Sequence, residues 1–382
     1  MVDFATTRPS LPPRGYYAPN FRVEVEGQEL DPRVKGDVLD LKVTADLENM
    51  TSADITFNNW DDQRFDFKYS DTAALDIGNR VHIQLGYADR LLSMMHGQIN
   101  SLTPRFPQSG ASTIAVGVLD GMQLLKGRKP AEGELTKYTE KTDWQIAQII
   151  AERNGLQAEV SEVGETHAEV VQKNQDDAQF LMERAKRIDF DCYIFTDPAT
   201  RQSVLRFVEP TDTRVADRIR QFTFKWGENL NSFSPTLTLS DQVSQLTVRG
   251  WNDRTKQAIS YTASASDLPG ASTGGTSGPA AAQDRLRGRQ EMVVDFPVST
   301  EQEARELAIS LLRERAYEFI TGSGEILGFP DLRPGDNIDL LGLGRRFGGT
   351  YYVRKVGHRL GSGGFFTTFD VRRVFDGGVP GR

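Results

Sequence analysis

Gln221-Phe-Thr-Phe-Lys-Trp-Gly-Glu-Asn-Leu-Asn-Ser-Phe-Ser-Pro-Thr-Leu-Thr-Leu239, followed by Val243-Ser-Gln-Leu-Thr-Val-Arg-Gly-Trp251, alternates apolar and polar side chains. Leu237 and Leu239 fall on one face, with Thr236, Thr238 and Ser240 on the other. Leu246 and Val248 lie opposite Thr247 and Arg249. Successive side chains of an extended backbone point to opposite faces, so a period of two marks half-buried strands. The stretch reads as a wall rather than a pocket.

The same period recurs on both sides of it. Upstream, Val23 and Val25, then Leu39, Leu41 and Val43, then Ala53, Ile55 and Phe57 alternate with polar residues. Val81, Ile83 and Leu85, and later Ile114, Val116 and Val118, do the same, and Asn58-Asn-Trp-Asp-Asp62 interrupts the series as a turn. Downstream, Ser323 to Arg373 completes the pattern, with a turn at Pro330-Asp-Leu-Arg-Pro-Gly335 and strands at Ile338–Leu340, Tyr351–Val356 and Phe365–Val374. Short strands between turn signals predict an antiparallel sandwich or barrel.

Near Gly127 the period changes. Thr142 or Asp143 starts a helix carrying Trp144, Ile146, Ala147, Ile150 and Ala151, which Asn154-Gly155 ends. Asp176 or Asp177 starts a second, with Ala178, Leu181, Met182, Ala185 and Ile188 at helical spacing. Strands follow at Cys192–Phe195 and Val204–Val208. The expected fold is mainly β with an α+β insertion. The two strand-rich regions suggest an internal duplication, although no identity between them is visible. Ala263 to Gln283, rich in Ala, Ser, Gly, Thr and Pro, reads as a flexible loop. Thr300 and Glu303 form a capping box for a helix over 300–319. Residues 1–19, with Pro9, Pro12, Pro13 and Pro19, read as an extended arm.

The 382 residues carry a formal net charge of −8, and 38% are hydrophobic. Mean hydropathy is −0.45 and the pI about 5.3. An acidic chain lacks the basic footprint of a nucleic-acid binder. No run reaches the ~18 apolar residues of a membrane span, and the polar start is not a secretory signal, so synthesis in the cytoplasm is expected. The single cysteine, Cys192, excludes an intrachain disulfide and a thiolate zinc cluster, and its neighbours Tyr193 and Ile194 mark it as a core residue.

Candidate chemistry is thin. His82, His96, His167 and His358 are scattered, with no second histidine at metal-ligand spacing. Gly342-Leu-Gly-Arg-Arg-Phe-Gly-Gly349 looks like a phosphate loop, but a strand, Thr350-Tyr-Tyr-Val, follows where a helix is needed, so a hairpin is expected. Asp176 and Asp177 are helix-start residues, whereas Asp189 and Asp191 have the spacing of a possible glycosidase pair. Asn49-Met-Thr51 matches a glycosylation acceptor by chance. Arg345, Arg346, Lys355 and Arg359 make the C-terminal segment locally basic, as a solvated face or a contact for an acidic partner. The tryptophans sit inside strand or helix patterns and are expected in the core. No catalytic residue, metal ligand or cofactor site is assigned, and the residues of any interaction surface are not specified.

Several stretches carry a family likeness: Ala53-Asp-Ile-Thr-Phe-Asn-Asn-Trp-Asp61, Gly78-Asn-Arg-Val-His-Ile-Gln-Leu-Gly-Tyr87, Gly97-Gln-Ile99, Gln175-Asp-Asp-Ala-Gln-Phe-Leu-Met-Glu-Arg-Ala185, the Trp226–Trp251 region, Leu332-Arg-Pro-Gly335 and Gly349-Thr-Tyr-Tyr-Val-Arg-Lys-Val-Gly-His358. In their order and spacing the chain resembles the late control protein D family, the baseplate hubs of contractile phage tails and contractile injection systems, and the front half of VgrG spike proteins. The resemblance implies two tail-tube-like β-barrels per chain plus a small α/β module. The barrels would span residues 20–127 and 221–382, the module 128–220, with the 300–319 helix flanking the second barrel. It implies a non-enzymatic homotrimer that joins a threefold spike protein to a sixfold inner tube, contacts other baseplate proteins and lines a channel in a virion or injection particle. A wall that must not hold acidic cargo would itself be acidic. The chain stops at Arg382, which implies a hub whose spike is a separate protein. The rival readings are a tail-associated peptidoglycan hydrolase and a carbohydrate-binding tail-tip adhesin.

Overall fold

A computed structural model describes residues 18–88, 90–127, 136–198, 200–211, 220–252, 255–268 and 275–377. The first alternating stretches become β1 (Pro19–Val25), β2 (Val38–Asp46), β3 (Ser52–Asn58), β4 (Arg80–Tyr87), β5 (Arg90–Arg105) and β6 (Thr113–Asp120). Their inward residues, among them Val23, Leu41, Val43, Ile55, Phe57, Ile83 and Val116, form one core. Leu39 departs from the expected alternation. The register passes from Val38↔Phe57 to Asp40↔Thr56, so Leu39 is the extra residue of a β-bulge and is 49% exposed. Pro19 of the expected arm opens β1, while residues 1–17 lie outside the described residues.

The module contains β7 (Thr136–Lys141), α1 (Asp143–Arg153), β8 (Gln157–Val160), β9 (His167–Gln172), α2 (Asp177–Arg187), β10 (Asp191–Thr196) and β11 (Ser203–Val208). Thr142 and Asp176 cap the two helices, each completing a capping box with the glutamine three residues on. Ile146, Ile150, Leu181, Leu205 and Phe207 fill its core, which Met122 and Leu125 join from the segment before Gly127.

The second half comprises β12 (Gln221–Lys225), β13 (Leu230–Leu237), β14 (Gln245–Asn252), β15 (Gln257–Ser264), α3 (Gly278–Arg285), β16 (Gln290–Val293), α4 (Glu301–Tyr317), β17 (Ile320–Leu327), β18 (Asn337–Leu341), β19 (Gly349–Gly361) and β20 (Gly364–Arg373). It builds two cores. Phe224, Ile338, Val353 and Phe369 centre one. The other lies between the sheet β15-β14-β16 and α4, through Leu246, Val248, Leu307 and Leu312. The period of two holds in the three strands of Gln221–Trp251, but they serve different sheets: β12 and β13 join the large one, and β14 the smaller one on which α4 packs. Composition misread part of 263–283. Thr276–Ser277 pairs with Phe375–Asp376, and Ser277 caps α3. Residues 269–274 of that stretch are not described. The expected capping box of α4 is half made. Thr300 Oγ1 accepts from Glu303 N at 3.0 Å, but the Glu303 carboxylate accepts from Ser299 N instead of from Thr300.

One thirteen-stranded sheet runs through both halves, in the order β13-β17-β20-β19-β2-β3-β6-β5-β4-β1, ending in the short strand Gln28–Glu29 on β1, with β18 on β19 and β12 on β18. The halves meet where β19 pairs antiparallel with β2, Lys355↔Asp46 through Gly361↔Asp40. The order is also a repeat: β2-β3-β6-β5-β4 in the first half matches β13-β17-β20-β19-β18 in the second. Bulges fall at the same places, at Leu39 and Asn231 and again at Asn100 and Arg354. Gly78 N donates to Ile99 O (2.8 Å) and Ile99 N to Asn79 O (2.9 Å); Gly335 N donates to Val353 O and Val353 N to Asp336 O (both 2.9 Å). Both glycines have positive φ, 93° and 87°, a conformation other residues adopt only with strain. This equates Leu75-Asp-Ile-Gly78-Asn-Arg-Val-His-Ile83 with Leu332-Arg-Pro-Gly335-Asp-Asn-Ile-Asp-Leu340, in which only the leucine and the glycine are identical.

Candidate functional site

Residues paired across a sheet share a face, so the register maps one. One row reads Ser234, Ser323, Asp370, Lys355, Asp46 from β13 to β2. The next reads Ser232, Glu325, Thr368, Gly357, Thr44, Ser52. A third reads Phe366, Arg359, Lys42, Asp54, Gly117, Ser101. A fourth reads Asp40, Thr56, Ala115, Thr103. Eight adjacent strands thus present one broad surface of short, polar and charged side chains, backed by the two barrel cores. Acidic side chains on it (Asp40, Asp46, Asp54, Glu325, Asp370) outnumber basic ones (Lys42, Lys355, Arg359), and several of the charges are paired. Arg359 Nε meets Asp40 at 2.8 Å, Lys355 Nζ lies 3.7 Å from Asp46, and Lys42 stands opposite Asp54. The basic character expected of Lys355 and Arg359 is answered within the chain.

The joint beneath this face has a staple. Arg333, 5% exposed, donates from Nη2 to Ser93 O of the first half (3.0 Å) and from Nη1 to the carbonyls of Leu332 (3.1 Å) and Pro330. His358 lies against it, with Nδ1 3.0 Å from Thr367 Oγ1 and Nε2 3.2 Å from Leu332 O. Burial lowers Arg333 to about 10 and, with Arg333 beside it, His358 to about 3; burial raises Asp336 to about 6. Tyr87 adds a hydrogen bond to Gly328 O (2.8 Å), and Arg90 an ion pair to Asp331 (3.6 Å). In the sequence, Arg333 was only part of a turn. The repeat of Leu-x-x-Gly could have found the position, but not its partner, which is 240 residues away.

The structure brings some of the scattered histidines together. His82 and His96 face each other across β4 and β5, their rings stacked at 3.9 Å and 6°. Burial, and secondarily His82, pushes His96 down to about 4; burial also lowers His82, against the pull of Glu24. His167 joins Asp143 of α1 (3.1 Å) and Glu303 of α4 (3.4 Å), and Arg184 of α2 pairs with Asp143. Asp143 and Glu303 hold His167 up at about 9, and His167 holds Glu303 down at about 2. Burial acts to raise Asp143, but His167 and Arg184 outweigh it. This cluster ties the module to α4.

The sign of its pH dependence follows. A raised histidine contributes stability in full below ~6.5 that is lost as pH climbs through about 9; a depressed glutamate contributes in full above ~4.5 and loses it as pH falls through about 2. The cluster is therefore strongest between pH ~4.5 and ~6.5. Thermal unfolding from pH 5.5 to 9.5 should show a decline that His167→Gln removes, the variant being weaker by about 2 kcal/mol at pH 5.5. A variant with the wild-type pH profile contradicts the assignment.

Asp189 accepts from Arg313 Nη1 and Tyr317 OH (both 2.8 Å), and Asp191 accepts from Tyr352 OH. They line a cleft of about 630 Å³ between α2, α4 and the ends of β19 and β20. Cys192 is buried, and burial raises its thiol to about 12. Asp176 and Asp177 start α2, and Asp177 also pairs with Arg153. Gly342–Gly349 joins β18 to β19 as an antiparallel hairpin. Among the described residues, no three His, Cys, Asp or Glu side chains are grouped to hold a metal ion, and no helix is long and apolar enough to cross a membrane. Trp144 packs on the module core as expected, but the other tryptophans depart from expectation. Trp226 and Trp251 are half-exposed, Trp251 because it stands on the outward face of β14 and Trp226 because it lies past the end of β12. Trp60 packs edge-on against Phe65 (6.5 Å) and Phe67 (5.6 Å), and Phe67 against Phe106 (4.9 Å), in an exposed aromatic tip.

The fold, with its duplicated sheet and inserted α/β module, is that of solved phage tail proteins. The prophage MuSo2 43 kDa tail protein from Shewanella oneidensis superposes with TM-score 0.68 at 14% identity, over 93% of this chain and 98% of its own. A tail protein from Neisseria meningitidis MC58 gives 0.66 at 13%, over 94% and 97%. The E. coli c3393 protein, a component of the type VI secretion system with structural similarity to the T4 bacteriophage tail proteins gp27 and gp5, gives 0.58 at 15%, over 94% and 79%. No curated protein matches the chain in sequence. Residues 17–362 match the family model of the Alg8 N-terminal domain, and the chain belongs to that family.

Proposed function

We propose that the chain is a non-catalytic structural hub, a homotrimer at the centre of a contractile-tail baseplate. It joins a threefold spike protein to a sixfold inner tube, contacts neighbouring baseplate proteins and lines the channel of a virion or injection particle with its polar face. The observation that carries this reading is the repeat of one five-strand order on both sides of the β19·β2 pairing. Three copies of a twofold-repeated chain offer six similar units on a threefold axis, the symmetry match such an adaptor needs. The halves correspond to two tube-like barrels, about 20–127 and 221–376, with the module between them. The tail-protein likeness supports the reading at the level of fold. The hydrolase reading gains nothing from Asp189 and Asp191, whose carboxylates are held by tyrosine and arginine.

The test is the solution mass of the purified chain, alone and mixed with its spike protein. A trimer, or a three-to-three complex, supports the hub. A monomer that ignores spike and tube proteins overturns it.

One observation favours a second reading. The tip of Trp60, Phe65, Phe67 and Phe106 offers the exposed rings that carbohydrate-binding surfaces use. Glycan binding by the chain that Trp60→Ala and Phe67→Ala abolish would establish an adhesin; absence of binding removes it.

A further inference from the structure

The duplication carries more than symmetry. Within the chain, the outer edge of β19 past its bulge is covered by β2. Its counterpart, the outer edge of β5 past Asn100, has no strand on it among the described residues, because β4 pairs only as far as Gln98. The counterpart of β2 is β13, which pairs with β17 and, apart from a single bridge of Leu230 to Trp226, has no strand on its other edge among the described residues. The repeat thus leaves one unmatched edge of each kind, at opposite ends of an eight-strand run that is ~35 Å wide at the usual strand spacing.

The internal joint supplies the register. Bulge aligned with bulge, Lys355, Val356, Gly357, His358 and Arg359 correspond to Ser101, Leu102, Thr103, Pro104 and Arg105. Lys42, Val43, Thr44, Ala45 and Asp46 correspond to Ser234, Pro235, Thr236, Leu237 and Thr238. Gly357↔Thr44 then becomes Thr103↔Thr236, and His358↔Val43 becomes Pro104↔Pro235.

Both edges therefore carry a proline at the same rung. Thr238 N donates inward to Phe319 O, so the backbone of Pro235, three residues before it and of opposite parity, points out of the open edge. Leu47 N donates to Arg354 O, which sets Val43, at the same parity, towards β19. Proline lacks the N–H that a ladder uses, and sheets confine it to edges for that reason. Where His358 and Val43 can exchange two backbone bonds, Pro104 and Pro235 can exchange none, yet the matched pair leaves no N–H stranded.

We propose that copies of this chain join edge to edge, β5 of one to β13 of the next, antiparallel with Thr103 opposite Thr236, and that the facing prolines break the ladder at its middle rung. The inference rests on the hub reading and specifies its interface. The joint between copies is weaker than the joint within each copy, so the ring closes reversibly until spike or tube protein fixes it. Eight strands from each of three copies close the polar face into a twenty-four-stranded wall.

Two measurements test this together. Solution mass reports whether a ring forms at all. Oxidation of the full chain carrying Thr103→Cys with Thr236→Cys, read as the ladder on a non-reducing gel, reports register, against Arg105→Cys with Thr238→Cys as the mismatched pair. Facing Cα atoms lie within disulfide reach, whereas the mismatched pair lies beyond it; the native Cys192 is buried. The expected result is covalent dimers and trimers for the matched pair only. A trimer by mass with no matched cross-link overturns the register while sparing the hub; no trimer at any concentration, alone or with spike and tube proteins, overturns both. Pro104→Val with Pro235→Val should tighten self-association about tenfold or more by restoring two ladder bonds. Unchanged or weaker association overturns the role given to the prolines.

Discussion

Replacing Arg333 by alanine is expected to cost about 3–5 kcal/mol of stability, because it removes one member of a buried charged network. The carbonyls of Ser93 and Pro330 lose the Arg333 donor at once, and that of Leu332 keeps only its contact with His358. Each buried acceptor left bare costs about 1–3 kcal/mol, with water entry recovering part. Asp336, which accepts from Arg333 N at 2.8 Å, stays buried with Arg220 Nε at 3.6 Å as its ion-pair partner. Arg333→Lys should recover little, since one ammonium cannot reach carbonyls on opposite sides of the joint as a planar guanidinium does. Urea unfolding followed by tryptophan fluorescence gives the number. The loss should come with faster hydrogen exchange along β19 and β2, the strands the staple lies under. A loss below about 1 kcal/mol would mean that the staple is incidental to the joint.

Phe369→Ala should cost a similar amount, about 3–5 kcal/mol, by opening a cavity in the second barrel. The Phe369 ring is 1% exposed and stacks at 6.4 Å on Phe224 and 6.3 Å on Phe233. It also explains a glycine. A Cβ at Gly324 would lie 2.4 Å from Phe369 Cζ, so the strand opposite has been kept bare to seat the ring. Gly324→Ala alone should therefore destabilise, and Gly324→Ala combined with Phe369→Leu should cost less than the sum of the two. Thermal denaturation of the four proteins of that cycle measures the coupling. Additive effects would show that ring and glycine do not share the space.

Much of this architecture was legible because strands buried on one side advertise themselves every second residue. Val81-His-Ile-Gln-Leu85 and Ile114-Ala-Val-Gly-Val118 are strands as read, and Thr142 and Asp176 cap the helices they were expected to cap. What a period of two cannot say is which sheet a strand joins. Leu246 and Val248 alternate as well as Phe222 and Phe224 do, yet they face α4 rather than the barrel. Leu39 was misplaced because a bulge depends on the opposite strand. The 263–283 stretch was misread because alanine and proline favour a helix start as readily as a loop once Ser277 caps it. The candidate site was scarcely legible. Its face is made of ordinary threonines, serines and paired charges, and only register over several hundred residues brings them into rows. His82 and His96, fourteen residues apart, became neighbours through a hairpin that their spacing alone did not announce.

The covalent link between the halves has a kinetic meaning. Six separate units must find one another five times to make a ring, and each encounter costs translational and rotational freedom. A fused pair forms its β19·β2 contact at the effective concentration set by its own chain, and in the proposed ring only two further encounters would precede closure. Fusion also enforces alternation, since a first half can never be followed by another first half. In the proposed ring the two halves are free to differ, one beside the α/β module and the other beside the α4 layer, so that a face sixfold from within would present threefold features outside.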